Sequence, residues 1–91
     1  MPNPANPRLR QAILDVVNNQ LRDGDPPETA DTLERLLREG YSREQAIELI
    51  GTVVVSEIFE VLKEGRPYDP VRFVAALRSL PRLPWESEQA K

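Results

Sequence analysis

The fold turns on one stretch, Ser42-Arg43-Glu44-Gln45-Ala46-Ile47-Glu48-Leu49-Ile50-Gly51-Thr52-Val53-Val54-Val55-Ser56-Glu57-Ile58-Phe59-Glu60-Val61-Leu62-Lys63-Glu64-Gly65. Ser42 supplies the side-chain oxygen of a helix N-cap. Gln45 stands three residues later, the spacing at which the two side chains satisfy each other's backbone N–H groups. Tyr41, one residue before the cap, is placed to pack back on the first turn. Beyond Gln45 the aliphatic residues recur at helical spacing but cover more than one face, as in a helix enclosed by several neighbours. Val53-Val54-Val55 alone favours a strand. The run is short, lacks turn residues and sits inside a 3.6-residue pattern, so helix is the better reading. Gly51 costs such a helix about 1 kcal/mol relative to alanine, a cost that close approach of another backbone would justify. The stretch predicts a central helix over 43–64, about 33 Å long, closed by Gly65 and Pro67.

Outward from this helix, prolines and glycines divide the rest of the chain. Asn6-Pro7 pairs a capping side chain with a first helical residue that has no N–H to leave orphaned. Leu9, Ala12, Ile13, Val16, Val17, Gln20 and Leu21 then form one face, and Gly24 closes a helix over 7–23. Asp25-Pro26-Pro27-Glu28 is a stiff connection into a helix over 27–39, with Ala30, Leu33, Leu36 and Leu37 as its stripe and Gly40 as its stop. On the far side, Asp69-Pro70 repeats the cap-then-proline signal for a helix over 70–80. There Tyr68 and Phe73 have the spacing of a hydrophobic staple, and Val71, Val74, Leu77 and Leu80 form the inward stripe. Pro81 ends it. An extended, proline-containing tail follows around Leu83 and Trp85. The expected architecture is all-α: a single-domain bundle of four helices, with 1–5 and 86–91 as flexible ends. Short connections favour antiparallel neighbours, so the first and third helices should run parallel.

Composition narrows the function classes. The chain has no cysteine and no histidine, so disulfides, thiolate ligands, a cysteine nucleophile and the commonest general base are excluded together. A net charge of −3 disfavours a broad phosphate-binding face, and nucleic acid is not the expected partner. No apolar run approaches the ~18 residues of a membrane span, and Met1-Pro2-Asn3-Pro4 lacks the features of a signal peptide. A cytoplasmic location and no membrane association are the expectation.

Asn6-Pro7-Arg8-Leu9-Arg10, Asn19-Gln20, Pro26-Pro27 and Gly40-Tyr41-Ser42-Arg43-Glu44-Gln45-Ala46 together resemble a group of small bacterial helical proteins of unknown function. That group is close to the family catalogued as domain of unknown function 1841, and the likeness spans Asn6 to Leu80. The resemblance implies a first helix carrying two histidines at i and i+4, and a third helix beginning with another such pair. Two histidines one turn apart share a helix face and chelate one metal. This chain has Arg10 and Leu14 at the first positions and Glu44 and Glu48 at the second. An arginine repels a cation, so the implied site is replaced by an ion pair of Arg10 with Glu44 or Glu48, beside a core leucine at Leu14. Solvation of all three charged side chains is the alternative.

Other clusters have plain structural readings beside functional ones. Glu57, Glu60 and Glu64 share a helix face, as a solvated edge or as paired carboxylates for metal or acid–base work. Arg35, Arg38 and Arg43 are interleaved with Glu34, Glu39 and Glu44, so their field is mixed. Arg72, Arg78 and Arg82 complement a helix C-terminus. Gln20 lies on the apolar stripe and is expected to bond a backbone group of the Pro26-Pro27 turn. No Gly-rich phosphate loop, nucleophile elbow or histidine triad is present, and no cofactor is expected. The chain reads as a non-enzymatic structural or protein-interaction module, homodimeric through the third helix or taking a protein partner, with Val54, Ile58 and Trp85 as the contact surface. A carboxylate-based metal or small-ligand module, built on convergence of Glu44 and Glu48 with or without Glu57, is the alternative.

Overall fold

The computed structural model describes residues 6–83, and the expectations for 1–5, for Trp85 and for the rest of the tail lie outside them. Four helices form: α1 (Pro7–Asp23), α2 (Pro27–Arg38), α3 (Arg43–Glu64) and α4 (Pro70–Ser79), with no strand among the described residues. The expected ends of α2 and α4 are each one residue too long, because Glu39 and Leu80 serve as C-caps.

Each start has a local cause. Asn6 Oδ1 accepts from the N–H groups of Arg8 and Leu9 at 2.9 and 3.3 Å. Ser42 Oγ accepts from Gln45 N–H and Gln45 Oε1 accepts from Ser42 N–H, both at 3.0 Å, completing the reciprocal cap. Asp69 Oδ1 accepts from Val71 and Arg72, and the Tyr68 and Phe73 rings meet with centroids 5.9 Å apart. α2 ends differently. Gly40, at φ 103°, lets the N–H groups of Gly40 and Tyr41 reach back to the carbonyls of Leu37 and Leu36 at 3.1 Å each. That pair of bonds satisfies two carbonyls that would otherwise be orphaned at the helix end.

α3 packs on all three other helices. Its Ala46, Ile50, Val53 and Val54 join Val17, Leu33, Leu36, Phe73, Leu77 and Leu80 in one core. Arg10 meets Glu48, Ile13 and Val17 meet Gly51, and Val16 and Gln20 share a groove with Ile58. Residue numbers rise together along the contact, so α1 and α3 run parallel.

Side-chain directions correct several readings. A Cβ on Gly51 would lie 3.1 Å from Ile13 Cγ2 and 4.0 Å from Val17 Cγ2; the glycine makes room for side chains of α1, not for a backbone. Val16, Leu37 and Val71, all assigned inward, are 36%, 41% and 79% exposed. Leu14 is half-buried and lies outside the central cluster. On α2 the inward positions beside Leu33 and Leu36 are Thr29 and Thr32. Threonine is affordable there because Thr29 Oγ1 donates to Gln20 Oε1 at 2.9 Å, which also corrects Gln20's expected backbone partner. No buried side-chain nitrogen or oxygen among the described residues lacks a partner.

Candidate interaction face and the ion pairs that frame it

At the N-terminal end of the α1–α3 contact, Arg10 Nη2 donates to Glu48 Oε1. Both side chains remain about half exposed, at 48% and 45%. The hydrogen bond and charge of Glu48 raise the guanidinium's pKa above its ordinary value, desolvation opposes them, and the charge of Glu44 adds to the rise. Glu44 itself is exposed and makes no bond to Arg10. Of the two acids weighed, only Glu48 is a direct partner.

Nine residues beyond Glu48 on α3, at Glu57, the environment changes. Glu57 is 8% exposed. Its carboxylate accepts two bonds from Arg72 on α4, from Nε at 3.0 Å and Nη2 at 2.8 Å, and a third from the Asp69 N–H at 3.3 Å. The Arg72 bonds lower the carboxyl pKa, burial opposes them, and the Asp69 N–H adds to the lowering. A carboxylate accepting a forked guanidinium and a backbone N–H is held ionised. It is occupied as a strut between α3 and α4. The same pair raises the Arg72 pKa, its hydrogen bond to Glu57 being the largest cause. Arg72 thus belongs to this strut and not to a basic patch at the α4 C-terminus.

The sequence groups Arg35, on α2, with Arg38 and Arg43. Arg35 instead reaches across to α4, donating from Nη1 to the Leu80 carbonyl at 2.8 Å and from Nη2 to the Leu77 carbonyl at 3.1 Å. Nη1 also bonds Glu39 Oε2 at 2.9 Å. An arginine at the positive-seeking end of a helix satisfies terminal carbonyls as a capping side chain would. Nothing local in the sequence marks this, because the partners are more than forty positions away.

A cleft of about 360 Å³ opens between α3 and α4, lined by Ser56, Glu60, Arg66, Ser79 and Arg82 around the Glu57–Arg72 pair. Its charged lining consists of the guanidiniums of Arg66, Arg72 and Arg82 and the carboxylates of Glu57 and Glu60. Among the described residues no group of three or more His, Cys, Asp or Glu side chains is arranged to hold a metal. No described helix is long and apolar enough to cross a membrane.

The remaining feature is apolar. On α3, Val55, Ile58, Phe59 and Leu62 are 40%, 45%, 47% and 77% exposed, at the i, i+3, i+4, i+7 spacing that places them on one face. Glu48, Gly51, Val55, Ile58 and Leu62 form a single row with steps of three and four, the period of a helix–helix seam. α1 occupies the row at Glu48 and Gly51; from Val55 onward the row stays open, with Val16 and Gln20 of α1 only flanking it beside Ile58. Beside the bare part lies a groove of about 170 Å³, lined by Val16, Gln20, Val54, Glu57, Ile58, Tyr68 and Phe73. Of the three residues assigned to a contact surface, Ile58 lies on this face. Val54 is 5% exposed and belongs to the core, one helical step of ~100° from Val55 and turned toward the other helices. Trp85 lies outside the described residues. Sequence reasoning missed Val55, Phe59 and Leu62, which read as core because α3 is apolar nearly all round, and Val16, which shares the apolar stripe of α1.

Compared with known proteins, the chain matches no family model, no curated protein and no solved structure.

Proposed function

We propose that this chain is a non-enzymatic protein-interaction module whose contact face is the C-terminal half of α3. The observation that supports the reading is the uncharged row Val55, Ile58, Phe59 and Leu62, left open on the helix that packs against all three others. An apolar patch of this kind on a small domain marks a contact site. The chain's chemistry is consistent with the reading: histidine and cysteine are absent, and Glu57 is committed to Arg72. On the resemblance noted in the sequence, the histidine-bearing turns of related proteins are replaced here by the Arg10–Glu48 pair, so the scaffold is kept without the metal chemistry. The carboxylate alternative has no observation in its favour, since the Glu48 carboxylate accepts from a guanidinium where that reading needs a cation.

Affinity capture from the lysate of the source organism tests the proposal, with the unaltered chain and Leu62→Glu run side by side. Leu62 is 77% exposed, so the substitution leaves the fold intact and places a charge on the row. Proteins retained by the unaltered chain and lost with Leu62→Glu support the reading. Identical sets from both baits overturn it.

A further inference from the structure

The exposed row has a property that bears on what covers it: it carries both a projection and a recess. Leu62 stands out at 77% exposure, and the groove between Val16, Ile58 and Tyr68 lies one turn away on the same side of the molecule. The groove is open to solvent and has a volume of about 170 Å³. A surface bearing both a knob and a recess meets the first requirement of an isologous pair, that the same patch on each copy both gives and receives.

We propose that the occupant of this face is a second copy of the same chain, the two α3 helices packing through Val55, Ile58, Phe59 and Leu62, with Leu62 of each copy seated in the other's groove. The inference rests on the interaction reading above and names its partner. Charge permits it. The chain carries a net charge of −3, which opposes self-association in general, yet the row itself contains no charged side chain past Glu48, Glu48 is paired with Arg10, and Glu57, the charged residue lining the groove, is paired with Arg72. The area also fits. The exposed row with Val16 and Tyr68 presents on the order of 500 Å² of apolar surface, at the upper end for a lone monomer. A standard interface of ~800 Å² per partner, a little over half apolar, needs about that much.

Sedimentation equilibrium of the purified chain across the micromolar range tests the proposal. The expected result is a concentration-dependent rise from 10.4 kDa to twice that mass, undiminished in molar salt because the contact is apolar. Leu62→Glu is expected to stay at the monomer mass. Val71→Glu, at a site equally exposed but on α4, is expected to dimerise like the unaltered chain. Because the chain has no cysteine, mixing Val16→Cys with Leu62→Cys reports the seating directly, and a mixed disulfide between copies is expected. A monomer at every concentration, or a dimer that Leu62→Glu leaves intact, overturns the proposal. If the chain is monomeric while lysate capture still depends on Leu62, self-pairing falls and the interaction reading stands. If capture is also insensitive, both fall.

Discussion

In the N-terminal half of α3, Ala46 and Ile50 are buried in the core, and α1 lies across the row at Glu48 and the buried Gly51. In the C-terminal half, Val55, Ile58, Phe59 and Leu62 are as apolar and stay 40–77% exposed. The ion pairs reverse the pattern: the pair in the well-covered half, Arg10–Glu48, is open to water, while Glu57–Arg72 in the half with the bare row is largely enclosed. Hydrophobicity along α3 therefore does not decide which residues are buried. What decides it is where neighbouring helices run. α1 covers the first part of the row at Gly51, because only there can its Ile13 side chain come close, and α4 secures the opposite side of the second part through a charged strut.

The largest effect that sharpens this comparison is the contrast of Ile50→Ala with Leu62→Ala. Ile50 is fully buried, and its truncation is expected to cost about 3 kcal/mol. The Leu62 change is expected to fall within about 0.5 kcal/mol when urea unfolding is measured at a dilution that removes any contribution from association. Equal costs would mean that the second half of the row is covered in the monomer.

Glu57→Gln comes next, with an expected loss of about 1–2 kcal/mol at pH 7, since the forked bond from Arg72 loses its charge on one side. Its pH dependence is diagnostic. The folded-state carboxyl pKa lies below its ordinary value, so the stabilisation is present above the unfolded pKa of about 4.3 and disappears as pH falls through the folded value. Thermal melts between pH 7 and pH 3 should show the gap between the unaltered chain and Glu57→Gln narrowing below about pH 4.3. A constant gap would show that the glutamate acts through packing and not through charge.

Arg10→Ala is expected to have the smallest effect, because both partners are half exposed and solvent competes for each. At physiological salt its melting temperature should be indistinguishable from that of the unaltered chain, with a small decrease emerging only at low ionic strength. A loss matching that of Glu57→Gln would remove the distinction between the two ends of α3.

Helix positions were legible because their causes are local: Asn6-Pro7, Ser42 with Gln45 and Asp69-Pro70 cap their own first turns. The parallel course of α1 and α3 followed from short connections. The partners of Gln20, Glu57 and Arg35 were not legible, because Thr29, Arg72 and the Leu77 and Leu80 carbonyls meet them only after the helices pack. Nor could sequence separate Val54 from Val55. Both sit in an unbroken valine run, and the difference between core and surface there is one step of helix rotation against neighbours of a particular length. Val71 failed for a related reason. It shares spacing with Leu77, but Phe73, stapled to Tyr68, takes the inward position in the first turn of α4.

α4 has ten residues, too few for a helix to persist alone in water. Its first turn is gripped by Glu57, which holds both Arg72 and the Asp69 N–H, and its last carbonyls are gripped by Arg35 from α2. A segment clamped at both ends by side chains from two different helices has no free end from which to fray. It opens as one unit, so its backbone amides should exchange with solvent deuterium at a common rate, where an unclamped terminal helix would show a gradient of rates toward its loose end.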